Sequence, residues 1–187
     1  MSLRGIERKV IDQFLNNYFI ETGTCGGNGI LCALELNFKH IISIDIIYED
    51  GTYKQFSDNK NVTLITGDTS NCLWDIIKNI NEKITFWLDA HSDLVIKETN
   101  WNPVCPLLEE LAQIKKHDIK NHDILIDDIT PIILLPNFSK QIIEKIIREI
   151  NNDYIINYVD TGGTEVLLAT TIKGLDYGAN SNSKAYK

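Results

Sequence analysis

The chain has 187 residues, 43% of them hydrophobic and 24% charged, which excludes extended disorder and points to one domain with a sizeable core. A net charge of -8 and a pI near 5.0 argue against a dedicated nucleic-acid binder, which carries a basic face. No long apolar run opens the chain, and Cys25, Cys32, Cys72 and Cys105 lack the paired spacing of a zinc site, so a reduced, soluble, cytoplasmic protein with no membrane segment is expected.

In chain order, Ile6, Val10, Ile11, Phe14 and Leu15 recur at helical spacing over residues 4–17. Tyr18 to Glu21 is a short apolar strand, and Ile30, Leu31, Ala33, Leu34 and Leu36 mark the next helix. Ile41 to Asp45 reads as a second strand, Glu49 to Ser57 as a weaker helix with Tyr53 and Phe56, and Val62 to Thr66 as a third strand. Leu73, Ile76, Ile77 and Ile80 form a helical stripe, and Ile84 to Asp89 is the fourth strand. A polar loop follows through Pro103, then a helix over Leu107, Leu108, Leu111 and Ile114, and a fifth strand from Asp123 to Asp128. A loop bracketed by Pro131 and Pro136 leads to a helix over Ile142, Ile143, Ile146, Ile147 and Ile150. Tyr154 to Val159 and Glu165 to Thr171 read as strands joined across Thr161-Gly162-Gly163. Residues 1–173 are expected to form a single domain and residues 174–187, rich in Gly, Asn, Ser and Lys, a frayed tail. Alternating strands and helices predict a mostly parallel sheet covered on both faces, closed by an antiparallel hairpin.

The stretch between the first strand and its helix, Glu21-Thr22-Gly23-Thr24-Cys25-Gly26-Gly27-Asn28-Gly29, holds four glycines. Such a turn at a helix N-terminus suits a nucleotide-type cofactor, because glycine lets backbone approach a ligand closely. The dinucleotide fingerprint needs glycines at relative positions one, three and six. From Gly23 the third position is Cys25, and from Gly27 the sixth is Cys32, so neither register fits. The pattern acid-x-Gly-x-x-x-Gly over Glu21, Gly23 and Gly27 does fit, and it resembles motif I of class I S-adenosylmethionine (SAM)-dependent methyltransferases. The element order is also the pattern those enzymes show, so the expected architecture is their Rossmann-like sandwich with a seven-stranded sheet.

Ligands of open α/β sheets sit outside the carboxyl ends of the strands. The first five strands each deliver an acid there: Glu21, Asp45, Asp68, Asp89 and the pair Asp127 and Asp128. Asp45 is positioned for the ribose hydroxyls of a cofactor, and Asp68 with Thr69 for an adenine amino group. The resemblance implies that the cofactor cradle comprises Glu21, Thr22, Gly23, Thr24, Gly27, Asn28, Asp45, Asp68, Thr69 and Asp89.

Residues 19–33, 62–76, 84–89 and 125–129 look like successive blocks of metal-dependent O-methyltransferases of the catechol and macrocin (sugar) types. In those families an acid ending the fourth strand and an acidic pair ending the fifth hold Mg²⁺, which implies Asp89, Asp127 and Asp128 as metal ligands here. Mg²⁺ prefers hard oxygen ligands and takes few carboxylates from the protein. The catechol-type lysine base falls on Ser92, so His91 is the candidate base, with Asp89 as an alternative proton acceptor. The loop from Ser92 to Pro103, with Trp101, is expected to wall or cover the acceptor. The resemblance implies a SAM- and Mg²⁺-dependent O-methyltransferase for a small hydroxyl acceptor, a sugar or glycan precursor favoured, with no nucleic-acid or membrane partner and a possible homo-oligomer. The competing readings are a non-catalytic SAM-binding or partner-binding protein of the same fold, and a nicotinamide-dependent oxidoreductase.

Overall fold

The computed structural model describes residues 6–14, 16–91, 105–161 and 163–175. The predicted cover from Ser92 to Pro103, including Trp101, and the predicted tail beyond residue 175 lie outside the described residues. The chain runs α1 (Ile6–Ile11), β1 (Tyr18–Thr22), α2 (Asn28–Glu35), β2 (His40–Asp45), α3 (Asp50–Phe56), β3 (Val62–Thr66) and α4 (Thr69–Ile77). It continues with β4 (Ile84–Leu88), α5 (Leu107–Lys116), β5 (Asp123–Ile126), α6 (Ile129–Ile132), α7 (Lys140–Ile150), β6 (Ile155–Asp160) and β7 (Glu165–Thr170). The seven strands form one sheet in the order β3-β2-β1-β4-β5-β7-β6. The first five are parallel, and β7 pairs antiparallel with both β5 and β6.

The strand sequences are apolar throughout because both faces are covered, and their period of two sorts the side chains. Ile20, Ile44, Phe86, Leu88, Ile124 and Ile126 pack on one face with Leu73 and Ile77 of α4, Leu111 and Ile114 of α5, and Ile143 and Ile147 of α7. Phe19, Ile41, Trp87 and Leu125 pack on the other with Val10 and Ile11 of α1, Ile30 and Ala33 of α2, and Phe56 of α3. No helix among the described residues is long and apolar enough to cross a membrane.

Two elements differ from the sequence expectation. The first helix stops at Ile11 rather than running to residue 17. Its continuation is held off the helix axis by Asn16, whose amide donates to Thr85 Oγ1 at 2.7 Å and to Asp123 Oδ2 at 2.8 Å. The second difference is α6, which overlaps the start of the loop expected between Pro131 and Pro136. Proline is tolerated in the first helical turn, where its missing N–H has no intrahelical partner to lose.

The base of the sheet is closed by a buried polar network. His122 Nε2 lies 3.0 Å from His117 Nδ1, while His122 Nδ1 accepts from the Ile84 amide at 3.1 Å. Burial, and then the neighbouring His117, pushes the His122 imidazole down to about 3. Buried Asp123 is paired with Lys83 at 2.8 Å and accepts from Thr170 Oγ1 at 2.6 Å.

Candidate active site

Strand register aligns the exits of the central strands in one row. Thr22 stands opposite Ile44 and Leu88, and Leu88 opposite Ile126. The ladder continues one step beyond: Gly23 N donates to Ile44 O at 2.9 Å, Asp89 N to Thr22 O at 3.0 Å, and Asp127 N to Leu88 O at 3.1 Å. The row includes the point where strand order reverses, between β1 and β4, which is where open α/β sheets form their ligand crevice. Gly23 is tight there. With φ +82°, a Cβ at this residue would stand 2.3 Å from the Asp89 carbonyl oxygen. Only glycine fits such a backbone-to-backbone approach.

The turn that follows is clamped by the acid of the next strand. Asp45 Oδ2 accepts from the amides of Thr24 at 2.8 Å and Cys25 at 3.1 Å, and Oδ1 from Ile47 N at 3.3 Å. Three of its roughly four lone-pair sites are thus occupied by backbone. Gly27, with φ +77°, leads into α2, and a Cβ there would lie 2.4 Å from the Phe56 ring. Beneath the turn, Ser43 Oγ donates to Glu21 at 2.5 Å and lies 2.6 Å from Thr24 Oγ1. Tyr48 ties in the same strand end, its hydroxyl donating to Ser43 O at 2.5 Å and accepting from Ile65 N at 3.1 Å. Burial raises the Glu21 carboxyl to about 8, against the Ser43 bond that lowers it and with the Asp45 charge adding to the rise. Beyond Asp45 opens a cavity walled by Ile46, Ile47, Tyr48, Tyr53 and Thr66, with Ile46 and Ile47 68% and 74% exposed.

Asp68 caps α4, accepting from Ser70 N at 2.9 Å, and stays exposed, while Thr69 is buried. Thr69 and Thr22 share a hydrogen-bonding partner that the sequence reading did not single out, the fully buried Glu110 of α5. Burial raises its carboxyl to about 7, opposed by the bonds from the Thr69 and Thr22 hydroxyls.

On the far side of Gly23, Asp89, His91 and Asp128 converge. His91 Nε2 lies 3.3 Å from Asp89 Oδ1 and 3.4 Å from Asp128 Oδ2, and one donor atom from each residue falls within 4.8 Å of the others. Asp128 is held in the left-handed conformation at φ 51°, a strained geometry for a residue other than glycine, as it starts α6. Asp127 stands beside this trio, its Oδ1 accepting from the Asp128 amide at 2.8 Å. Burial first, then the Asp127 and Asp128 charges, push the Asp89 carboxyl well above the usual carboxylate range. Neither His91 ring nitrogen has an aligned hydrogen-bond partner although both are buried. Two carboxylates held together here despite their mutual repulsion form an oxygen donor pair that fits a divalent cation, with the His91 imidazole beside them. The predicted ligands Asp89 and Asp128 are thus adjacent, and His91, predicted as a base, shares their cluster.

The sheet order and closing antiparallel pair define the Rossmann-like fold of SAM-dependent methyltransferases. No family model matches the chain. Among solved structures, a Podospora anserina methyltransferase bound to S-adenosylhomocysteine (SAH) superposes with a TM-score of 0.55 at 11% identity, covering 88% of this chain and 77% of that one. The O-methyltransferase TomG of Streptomyces achromogenes, in complex with SAM, gives 0.54 at 12% identity over 89% and 78% of the two chains. CmcI with Mg and SAM gives 0.55 at 13% over 88% and 69%. By sequence, the chain is 28% identical over 139 residues to the uncharacterized protein 062L of Invertebrate iridescent virus 6, spanning 68% of this chain and 75% of that protein. At these identities the structural likeness is one of fold.

Proposed function

We propose that the protein is a SAM-dependent O-methyltransferase, assisted by Mg²⁺, acting on a hydroxyl of a small acceptor, with a sugar or glycan precursor favoured. The observation that carries this reading is the seam at Gly23, where a glycine turn and an Asp-His-Asp cluster meet across one backbone contact at the switch point of the sheet. The cofactors held by TomG, CmcI and the Podospora enzyme support the assignment of SAM and Mg²⁺.

In this reading Gly23, Thr24, Gly27 and Asn28 shape the backbone under the methionine and ribose portion, over the Glu21–Ser43–Thr24 network that fixes the turn. Asp45 holds the turn through two amides and offers its remaining acceptor capacity to the ribose. The cavity beside Ile46 and Ile47, with Thr66 at the end of β3 in its wall, receives the adenine, and Asp68 and Thr69 follow that strand in the chain. Asp89 and Asp128, with Asp127 adjacent, would hold the metal, which would supply the charge that makes an acceptor hydroxyl easier to deprotonate. His91 faces the same point and takes the hydroxyl proton, a role suited to imidazole near neutral pH. Alignment of the acceptor oxygen behind the methyl group supplies the rest, because sulfonium is already a good leaving group.

Calorimetric titration with SAH, with and without Mg²⁺ and with NAD as a control, tests the reading. SAH binding and a separate Mg²⁺ event, the latter lost in Asp128→Ala with SAH binding retained, are expected. Absence of SAH binding would sink the enzyme assignment, and NAD binding in its place would favour an oxidoreductase. Turnover unaffected by excess chelator would remove the metal.

A further inference from the structure

Tyr48 stands three residues beyond Asp45, the last residue of β2, and its two ends meet different surroundings. The hydroxyl lies 2.5 Å from Ser43 O of β2 and 3.1 Å from both Ile65 N and Ile65 O of β3, and the Thr24 hydroxyl of the glycine turn also bonds it. The one proton and two lone pairs of a phenol all find partners in this set. Because β3 is an edge strand, paired on its β2 side alone, a side chain that spans Ser43 and Ile65 ties it down near its carboxyl end. The ring faces something else. With Ile46, Ile47, Tyr53 and Thr66 it walls a cavity of about 320 Å³, at the small end for a ligand pocket. It stands edge-on to Tyr53, with ring centroids 6.2 Å apart and planes at 63°. Ile46, Ile47 and Tyr53 are exposed around that cavity, whereas the polar end of Tyr48 is fastened to the sheet.

We propose that Tyr48 orients the base of the cofactor, its ring a fixed wall for the adenine and its hydroxyl the pin that holds this wall across β2 and β3. The inference rests on the proposed seating of adenine in this cavity, and it adds which side chain sets the orientation. A tyrosine has only two side-chain torsions, so fastening its polar end fixes the plane of the ring before a ligand arrives. A wall ordered in advance spares the ligand the cost of ordering it. The apolar body of the phenol is left for the base, which meets an aromatic surface favourably by face or by edge. Burial raises the phenol above its ordinary value, so the hydroxyl keeps the proton that it donates to the Ser43 carbonyl. Ser43 also carries the Oγ that meets Glu21 and Thr24, so the base wall and the glycine turn share one anchor. Phenylalanine would line the same cavity, but only the hydroxyl fixes where the ring stands.

The test is nuclear magnetic resonance on the tyrosine-labelled full chain titrated with SAH, with the Tyr48 ring assigned through its own backbone amide. Nuclear Overhauser effects between adenine H2 or H8 and the Tyr48 ring are expected in the complex. Tyr48→Phe keeps the wall and removes the pin, so SAH affinity should fall about 3- to 10-fold, the worth of one net hydrogen bond. Tyr48→Ala removes both, and affinity should fall roughly 10- to 100-fold, as for loss of an aromatic partner of a base. Adenosine, which carries the base without the homocysteine, should lose affinity by the same factors, whereas a hydroxyl acting only through the glycine turn would cost SAH more than adenosine. SAH binding with no contact between adenine and Tyr48 overturns the proposal and leaves the proposed function standing. That result comes from the unmodified chain, so a variant that fails to fold does not shelter the proposal. A Tyr48→Phe protein that melts lower but binds SAH as tightly as the parent also overturns it, the mark of a strand tie alone. No SAH binding by the parent chain rejects the proposed function and this placement together.

Discussion

Replacing Gly23 with alanine tests the seam on which the site depends. Two costs add. An L-residue at φ +82° is strained by about 1–2 kcal/mol, since the left-handed region brings Cβ against the following carbonyl. The new methyl would also meet Asp89 O at 2.3 Å, Asp89 C at 2.7 Å and Ala90 Cα at 3.0 Å. These are backbone atoms, which cannot rotate aside, so β1 and β4 must separate at their carboxyl ends, an overpacking cost of about 1–3 kcal/mol. The sum, roughly 2–5 kcal/mol, is a large part of the 5–15 kcal/mol typical of a domain. At about 2–4 °C per kcal/mol for a chain of this size, the melting temperature should drop by about 4–20 °C. Gly51→Ala is the matched control: Gly51 lies in α3 with nothing within 4 Å of a built Cβ, and alanine there should add about 0.5–1 kcal/mol. Urea denaturation measures both, and SAH affinity of the Gly23 variant should fall at least roughly tenfold as the crevice widens. A Gly23→Ala protein within about 1 kcal/mol of the parent, with unchanged SAH affinity, would refute the seam argument.

Asp45→Ala removes the acceptor for the Thr24 and Cys25 amides, so it should loosen the glycine turn and weaken SAH binding, read by calorimetry together with faster amide exchange at those two residues; unchanged exchange would show that the clamp is not needed. The ligand-free protein should lose stability as pH rises from 6.5 to 8. Glu21 and Glu110, at about 8 and about 7 in the fold against 4.5 unfolded, keep protons that the unfolded chain has released. Each bound proton is worth about 1.4 kcal/mol per pH unit, giving roughly 2–3 kcal/mol over this interval. His122 acts in the opposite sense, because the unfolded imidazole gains a proton below 6.5 and the folded one resists until about 3, so its contribution is lost only at lower pH. Urea midpoints across the range test this, and Glu21→Gln should flatten the slope; a flat or rising profile in the parent would contradict the burial of both acids.

The elements and their order were legible because hydrophobic periodicity is a local property. The runs at Ile41 to Ile44 and Ile84 to Leu88 read as doubly covered strands, and Ile143, Ile147 and Ile150 as a helix face, without reference to anything distant. The glycine spacing excluded one cofactor register, and the acid ending each strand marked the functional edge of the sheet. Glu110 could have been noticed in the same way, since its spacing from Leu107, Leu111 and Ile114 sets a charge on an apolar stripe. Distances across the sheet were not legible. Which acids share a site depends on β1 lying between β2 and β4 and on the register that aligns Thr22 with Leu88. Only that packing joins His91 to Asp89 and Asp128, turns Asp45 toward the glycine turn, and brings Glu110 to the hydroxyls of Thr22 and Thr69. Sequence determines what each segment buries; the tertiary structure decides which polar groups are buried together, because that depends on contacts between residues far apart in the chain.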